Sequence, residues 1–241
     1  MYEERTYRRL FKGVNLIFFD VCVLETDLCI GACRNLYEPA LISVKKYREQ
    51  LESYIKLHPE FLTGLKPLEA AQDAPQIVRR MCDAAQKAGV GPMAAVAGAV
   101  SELVGRDLLR FSPEIIVENG GDIFIKTDIP RKIGVYAGNS PLSGKIALEI
   151  LPAMTPMGIC TSSGTVGHSL SFGKADAAVV LARDTFISDA AATAMGNTVK
   201  TADDIEKALE FVSGIDGVSG ALIVIGDKLG AWGNIKLVEM I

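Results

Sequence analysis

The sequence has no excess of basic residues and few aromatic ones. Its 241 residues include 25 Lys and Arg against 29 Asp and Glu, which gives a formal net charge of −4 and a pI of about 5.3. One residue is Trp, and aromatic residues make up 7% of the chain. Nucleic-acid-binding proteins use a basic face, and single strands stack on aromatic platforms. We therefore expect no nucleic-acid partner.

Long hydrophobic runs and paired cysteines are also missing. The first five residues carry charges of both signs, and no apolar segment of the signal-peptide type follows them. The apolar run at residues 89–100 is about half as long as a membrane-spanning helix. Five cysteines, an odd number, fit a reducing cytoplasm better than a disulfide scaffold. These features predict a cytoplasmic protein with no membrane association.

The composition is typical of a folded domain with a sizeable core. Apolar residues make up 49% and charged residues 22%, and the mean hydropathy is +0.26. Such a chain is not disordered, because it can bury enough apolar surface. Its length suits one ordinary domain, so we expect residues 1–241 to form a single domain, with a weakly signalled boundary near residue 110.

Hydrophobic periodicity predicts helices mainly in the first half of the chain and strands mainly in the second. Helices are predicted at residues 39–58, 73–88, 93–103, 188–195 and 202–212. Strands are predicted at residues 14–22, 28–33, 114–118, 122–126, 132–137, 145–151, 158–161, 177–182, 220–225 and 235–241. Because the later strands follow one another without regular helices between them, we expect an α+β fold of mixed or antiparallel sheets flanked by helices.

Two motifs that resemble known sites fail on their context. Residues 89–94 have the G-x-G-x-x-A shape of a dinucleotide fold, but a helix precedes them where a strand is required. A tight turn between packed helices is favoured there, and amides presented to an anion are the alternative. Residues 167–171 approach the hydrolase elbow but lack its last glycine, and no histidine follows the serine.

The cysteines do not form a metal motif. Cys22, Cys29 and Cys33 lack zinc spacing, so we expect buried strand residues. Cys160 is also expected to be a buried strand residue, with a reactive thiol as the alternative.

A glycine turn at residues 117–123 is the first of three segments that carry chemistry. Asn-Gly is a strong hairpin signal, and a hairpin alone explains the segment. The functional alternative is that Gly120 and Gly121 allow a flat ligand or a phosphate to approach the backbone closely. Asp122 would then stand beside that ligand.

The second segment is a hydroxyl-rich loop at residues 158–168. Such a loop can form a nest of amides and hydroxyls around anionic oxygens, although a solvated loop also explains the composition. The absence of a Walker lysine excludes a P-loop. His168 favours a ligand site, since histidine is the usual proton shuttle near neutral pH. The candidate binding residues are Thr161, Ser162, Ser163, Gly164 and Thr165.

The third segment is an alanine-rich helix start at residues 188–194. Asp189 and Thr193 are four residues apart, so they share one helix face. Carboxylate and hydroxyl oxygens are hard ligands suited to magnesium or calcium. The alternative is a simple helix start, with Ser188 as the cap and Asp189 complementing the helix dipole.

Taken together and in this order, the three segments resemble the ApbE-like family, the FAD:protein FMN transferases. That family has a glycine-pair–aspartate turn, a T-S-G loop followed by a histidine, and a D-A-x-x-T-A helix start. The matching positions here are residues 119–122, residues 162–164 with His168, and residues 189–194. Residues 25–28 and 91–99 resemble an uncharacterised branch of ApbE-like proteins of archaea and bacteria, and that resemblance covers nearly the whole chain.

The resemblance implies an ApbE-like fold and a magnesium ion held by Asp189, Thr193 and the backbone carbonyl of Asn119. It also implies FAD or FMN as the ligand. In the family, magnesium polarises the FAD pyrophosphate, an acceptor threonine attacks phosphorus, and AMP leaves. His168 is the candidate catalytic residue. Where the family has an aspartate–proline pair this chain has Ser171 and Phe172, so the general base is missing or different.

These features leave three classes of function open. The first is a magnesium-assisted pocket for a flavin or another small phosphorylated ligand, with FMN or phosphoryl transfer as the reaction. The second is a non-catalytic binding or partner module that kept the fold and lost the base. The third is an enzyme of unrelated chemistry that uses Cys160 or His168. The small-residue helix at residues 93–99 is expected either to pack against a second copy of the chain or to lie in the monomer core.

Overall fold

The computed structural model describes Arg8 and residues 14–165 and 171–240, and within these ranges it contains eleven strands and six α-helices. The strands are β1 (Ile17–Val23), β2 (Thr26–Ala32), β3 (Ile115–Asn119), β4 (Asp122–Lys126), β5 (Arg131–Gly134), β6 (Ile146–Ile150), β7 (Met157–Ser162), β8 (Ala177–Ala182), β9 (Val218–Ile225), β10 (Lys228–Gly233) and β11 (Leu237–Glu239). The helices are α1 (Tyr37–Leu57), α2 (Glu60–Thr63), α3 (Gln76–Ala88), α4 (Val96–Leu108), α5 (Thr185–Thr198) and α6 (Ile205–Ser213).

The strands form one large and one small antiparallel sheet. The large sheet has eight strands in the order β1-β2-β3-β4-β7-β8-β9-β10, and the small sheet has the order β11-β6-β5. Neighbouring strands of both sheets run antiparallel. The predicted α+β class with antiparallel sheets and flanking helices is confirmed.

Both faces of the large sheet are covered at its centre. One face packs on the helices through side chains such as Phe124, Cys160 and Val180. The opposite face, with Ile159 and Leu181, packs in a second apolar cluster with residues of the small sheet. Because both faces of β8 are covered, all six of its residues are buried and apolar, without the polar alternation of a half-exposed strand.

Helix α5 begins earlier in the sequence than predicted. Asp184 is the N-cap of α5, and its Oδ1 accepts a hydrogen bond from the Ile187 amide at 3.0 Å, so the helix starts at Thr185 and not at Ser188. The alternative of Ser188 as cap is therefore wrong.

Strand β10 contains glycine and is largely exposed, so the hydrophobic pattern of the sequence did not reveal it. A Cβ at Gly230 would lie 2.3 Å from Cγ2 of Ile205, so this glycine lets α6 pack closely.

The small residues of α4 lie in the core of the chain. A Cβ at Gly98 would lie 2.5 Å from the Thr185 carbonyl oxygen, and one at Gly105 would lie 2.2 Å from Cδ1 of Phe124. These glycines therefore allow α4 to approach α5 and β4 closely. Of the two alternatives given for this helix, the structure shows the one in which it lies in the monomer core. Association with a second copy stays a prediction.

Within the described part of the chain, one bent pair of helices has the length and composition of a membrane span. No single described helix is long and apolar enough to cross a membrane. Helix α3 and the stretch Pro92–Leu108 together have the length and apolar composition of a membrane-spanning helix, but a bend of 104° separates them.

Candidate ligand and metal site

The glycine turn joins β3 to β4 and abuts the end of β7. Asn119 pairs with Asp122 across the hairpin, and φ is +68° at Gly120 and +104° at Gly121. Both angles lie in the left-handed region that glycine adopts without strain. A Cβ at Gly121 would lie 3.7 Å from the Thr161 carbonyl oxygen. The structure thus brings Thr161 beside the turn.

Asp189 caps the neighbouring helix α4. Its side chain is buried, and its Oδ2 accepts a hydrogen bond from the Gly98 amide at 2.8 Å. The first amides of a helix lack partners within the helix, and Ala95, the N-cap of α4, supplies no side-chain bond. Amides that bind an anion, the alternative interpretation of residues 89–94, therefore occur slightly later in the sequence, and the anion is a carboxylate of this chain.

Glu102 of α4 caps α5 in return. Its Oε2 accepts a hydrogen bond from the Thr185 amide at 2.7 Å. Its Oε1 accepts bonds from Arg80 Nη2 at 2.9 Å and from Arg106 Nε at 2.8 Å. Each helix therefore holds the beginning of the other, and this exchange fixes the position of Asp189.

Asn119 reaches the same part of α4 as Asp189. Its Nδ2 donates to the Ala97 carbonyl oxygen at 3.1 Å. Because Ala97 precedes Gly98, the glycine turn and α5 meet at two consecutive residues of α4. Two of the predicted metal ligands, Asn119 and Asp189, are thus brought together. Thr193 is half-buried one turn further along α5.

Asp122 and Asp189 are two buried carboxyl groups, and the charge of Asp189 acts on Asp122. Burial and the charge of Asp189 hold the pKa of Asp122 well above its ordinary value, and contacts with the Cys160 thiol and the Thr161 amide offset this in part. Burial raises the pKa of Asp189 to about 7, although bonds from the Gly98 and Ala97 amides lower it. Oδ1 of Asp122 is buried and has no hydrogen-bond partner among the described residues.

Cys160 is buried close to these carboxyl groups. Its amide donates to Ser188 Oγ at 3.0 Å, and Ser188 Oγ donates to the Val180 carbonyl oxygen at 2.6 Å. Burial, together with Asp122 and Asp189, raises the pKa of the thiol well above its ordinary value. This thiol is therefore protonated at neutral pH, which fits a buried strand residue better than a reactive nucleophile.

The expectation for the other cysteines was partly wrong. Cys29 is buried as expected, but Cys22 and Cys33 are exposed. Cys22 lies near the end of the edge strand β1, and Cys33 directly follows β2, so neither is covered on both sides.

The hydroxyl loop lies mainly against the start of β8. Thr165 Oγ1 donates to Asp176 Oδ1 at 2.9 Å, and Ser163 Oγ accepts from the Thr165 amide at 3.1 Å. The Gly164 amide donates to the Ala175 carbonyl oxygen at 2.9 Å. These bonds hold the loop to β8 and do not direct it at Asp189.

The Ser162 hydroxyl of the loop lies against helix α5. A Cβ at Gly196 would meet Ser162 Oγ at 3.3 Å. His168, the candidate catalytic residue, lies outside the described residues. The structure therefore joins Thr161 to the glycine turn and places Ser162 beneath α5.

Two surface cavities lie elsewhere on the chain. One, of about 370 Å³, is lined by residues that include Arg80 and Lys87, and the other, of about 420 Å³, by residues that include Tyr54 and His58. Neither is lined by Asp122 or Asp189. No cluster of three or more His, Cys, Asp or Glu with metal-binding geometry occurs in the described ranges. A cation at the carboxyl pair would therefore need hydroxyl, carbonyl or water oxygens as well.

The fold is ApbE-like. A variant of the flavin transferase ApbE from Vibrio cholerae matches with a TM-score of 0.59 and 10% identity, over 91% of this chain and 97% of that one. The ApbE protein of Thermotoga maritima matches with a TM-score of 0.56 and 12% identity, over 89% and 96% of the two chains. At these identities the likeness establishes the fold.

Sequence comparison then gives the family. A family model described as AbpE bacteria matches residues 8–229. A UPF0280 protein of Methanocella arvoryzae is 42% identical over 214 residues, which is 88% of this chain and 87% of that protein. A UPF0280 protein of Methanococcus vannielii is 43% identical over 221 residues, 89% and 90% of the two. The chain belongs to this ApbE-like family of UPF0280 proteins, and the resemblance is confirmed.

Proposed function

We propose that the protein binds a magnesium ion at Asp189 and, next to it, the phosphate groups of a flavin nucleotide such as FAD or FMN. The observation that carries this proposal is the buried carboxyl pair Asp122–Asp189 at the glycine turn. Nothing in the described chain neutralises the pair with positive charge. The fold shared with a flavin transferase supports a flavin as the ligand.

The residues present fit a magnesium ion. In this proposal the oxygen donors are the Asp189 carboxylate, the Thr193 hydroxyl and the Asn119 carbonyl, because magnesium prefers such hard ligands. When bound, the ion supplies positive charge that polarises a pyrophosphate. The capping bond from Gly98 holds the Asp189 carboxylate in place for this role.

The chain itself would position the ligand through the glycine turn. Gly120 and Gly121 carry no side chains, so a phosphate or ring can approach their backbone atoms. The Gly121 amide donates to Glu118 Oε1 at 2.8 Å, which holds the turn to its own strand. Thr161 beside the turn adds a hydroxyl at the same place. As a reaction we propose transfer of FMN to a threonine of an acceptor protein, with release of AMP.

A non-catalytic binding module is the second candidate, and Ser171 favours it. Ser171 Oγ accepts a hydrogen bond from the Gly173 amide at 3.3 Å, and a serine hydroxyl is not a general base at neutral pH. Phe172, the next residue, is half-exposed and cannot take a proton. In this version the protein holds the flavin nucleotide without turnover.

Titration with FAD, with and without magnesium, tests the proposal. We expect magnesium-dependent binding to the wild-type chain and loss of that dependence in Asp189→Asn. Asp203→Asn, at an exposed aspartate, is the matched control and should bind as the wild type does. No binding of FAD, FMN or ATP at high micromolar concentration would contradict the flavin and nucleotide versions. AMP release in the presence of acceptor proteins would separate the transferase from the module.

A further inference from the structure

The buried carboxylates of the chain fall into two sets. Six are buried among the described residues: Asp27, Glu102, Glu114, Glu118, Asp122 and Asp189. The first four are each ion-paired with arginine. Arg8 pairs with Asp27 at 2.8 Å and with Glu118 at 2.7 Å. Arg131 pairs with Glu114 at 2.9 Å, and Arg80 and Arg106 pair with Glu102.

Asp122 and Asp189 are the exceptions, and they lie together. Neither forms an ion pair with a described residue. Two carboxyl groups that face each other in a buried place repel when both are charged, and burial makes this repulsion costly. Among the described residues, every other buried carboxylate has an arginine partner, and these two do not. When both are ionised, the pair therefore needs a positive charge that no described residue supplies.

The geometry brings Asp122 to the same point as Asp189. Asp122 pairs with Asn119 across the glycine turn. The Asn119 side chain donates to the Ala97 carbonyl oxygen, and the next residue, Gly98, donates its amide to Asp189. From the other side, Asp122 contacts Cys160, whose amide is bonded to Ser188. Asp122 is only 8% exposed, and its Oδ1 is unpartnered.

Building on the proposed function, we propose that Asp122 is a second carboxylate ligand of the same cation, so that one divalent ion bridges Asp122 and Asp189. Its unpartnered Oδ1 is the atom that binds the ion. Two carboxylates carry two negative charges, which a divalent ion neutralises and a monovalent ion does not. Their hard oxygens select magnesium, manganese or calcium over thiophilic metals.

The test measures binding of the metal alone. Wild-type protein is freed of metal with a chelator and titrated with Mg²⁺ and with Mn²⁺ by calorimetry, and its unfolding temperature is followed at each concentration. Asp122→Asn and Asp189→Asn are compared with Asp203→Asn. Asparagine keeps the shape of the side chain and removes a repelling charge, so both site variants should fold.

We expect affinity for Mn²⁺ to fall about tenfold or more in Asp122→Asn, and the metal-induced rise in unfolding temperature to disappear with it. Asp203→Asn should behave as the wild type. A purely structural Asp122 would shift the unfolding temperature equally with and without metal, and that result would overturn the inference. Loss of binding in Asp189→Asn with wild-type binding in Asp122→Asn would also overturn it, while leaving the proposed function intact. A wild-type chain that binds neither metal nor FAD would overturn both.

Discussion

Glu102 and Asp189 have the same capping role in two neighbouring helices but opposite surroundings. Each is a buried carboxylate that accepts the amide at the beginning of the other helix. Glu102 also binds two arginines, whereas Asp189 lies near a second carboxyl group, Asp122, whose pKa its charge raises. A buried carboxylate thus caps a helix in both places, but only Glu102 has arginine partners that balance its charge. The unbalanced site is the one beside the glycine turn, and perturbed carboxyl groups of this kind are typical of functional sites.

Removing Glu102 should have the largest effect on stability. Glu102→Ala leaves the Thr185 amide without its cap and Arg80 without its buried partner. We expect the free energy of unfolding to fall by about 3 kcal/mol, measured by urea denaturation, because an uncompensated group is left behind. The matched control is Glu210→Gln on the exposed face of α6. If Glu102→Ala lowers the free energy of unfolding no more than Glu210→Gln does, the arginine-paired carboxylate does not stabilise the fold and its contrast with Asp189 fails.

Enlarging Gly98 should affect both sites, because it lies where α4 and α5 touch. In Gly98→Ala the new Cβ would lie 2.5 Å from the Thr185 carbonyl oxygen and 2.8 Å from Asp189 Cβ. We expect a destabilisation of about 2 kcal/mol from this overpacking, measured by thermal unfolding. Gly214→Ala, where the nearest atom is 3.5 Å away, is the control and should be nearly neutral. Wild-type stability of the Gly98 variant would mean that the helices are not closely packed there.

Replacing Asp189 should have the opposite sign to replacing Glu102. Asp189→Asn keeps an oxygen for the Gly98 amide and removes a buried carboxyl group that is costly to ionise beside Asp122. At neutral pH without metal we expect the stability to stay equal or to rise by about 1 kcal/mol. A clear loss of stability would show that the Asp189 charge stabilises the fold, as that of Glu102 does.

The two kinds of carboxylate should also respond oppositely to pH. The pKa of Asp189 is raised from 3.8 to about 7, so the folded state binds more protons than the unfolded state between these values. Its contribution is therefore fully present below about pH 4 and is lost as the pH rises through 7. Calorimetric unfolding without metal at about pH 5 and pH 8 should show this loss in the wild type and a smaller loss in Asp189→Asn. Equal losses would contradict the assignment.

Glu114 provides the opposite case. Burial acts to raise its pKa, but bonds from Thr127, the Asp128 amide and Arg131 outweigh burial and lower it to about 2. Its contribution is therefore present above about pH 4.5 and is lost as the pH falls through 2. Glu114→Gln should flatten the acid limb of the stability curve. An unchanged acid limb would show that Glu114 is not held as a carboxylate.

Local signals in the sequence predicted much of the fold. Strands β4 and β8 have the predicted bounds, because the first follows a clear turn and the second is continuously apolar. Helix α5 was predicted to begin too late, since its alanines dominated the pattern and Asp184, its actual cap, stands before Phe186 and Ile187. Strand β10 escaped detection because glycine weakens the strand signal.

The candidate site was predicted less completely than the fold. The glycine turn and the Asp189 helix were both recognised from the sequence. The amides of residues 97–98 were not, because they meet Asp189 only when α4 packs on α5. The coupling of Asp122 to Asp189 likewise arises from contacts between segments far apart in sequence. Local spacing carries no information about such contacts.

The central claim is that Asp122 and Asp189 are left without arginine because a divalent cation binds between them. Anomalous scattering from a crystal soaked in Mn²⁺ tests it most directly. We predict one manganese peak about 2 Å from a carboxylate oxygen of each residue, as expected for direct ligands. Manganese found only at exposed carboxylates such as Asp203, or none at the pair, would contradict the account.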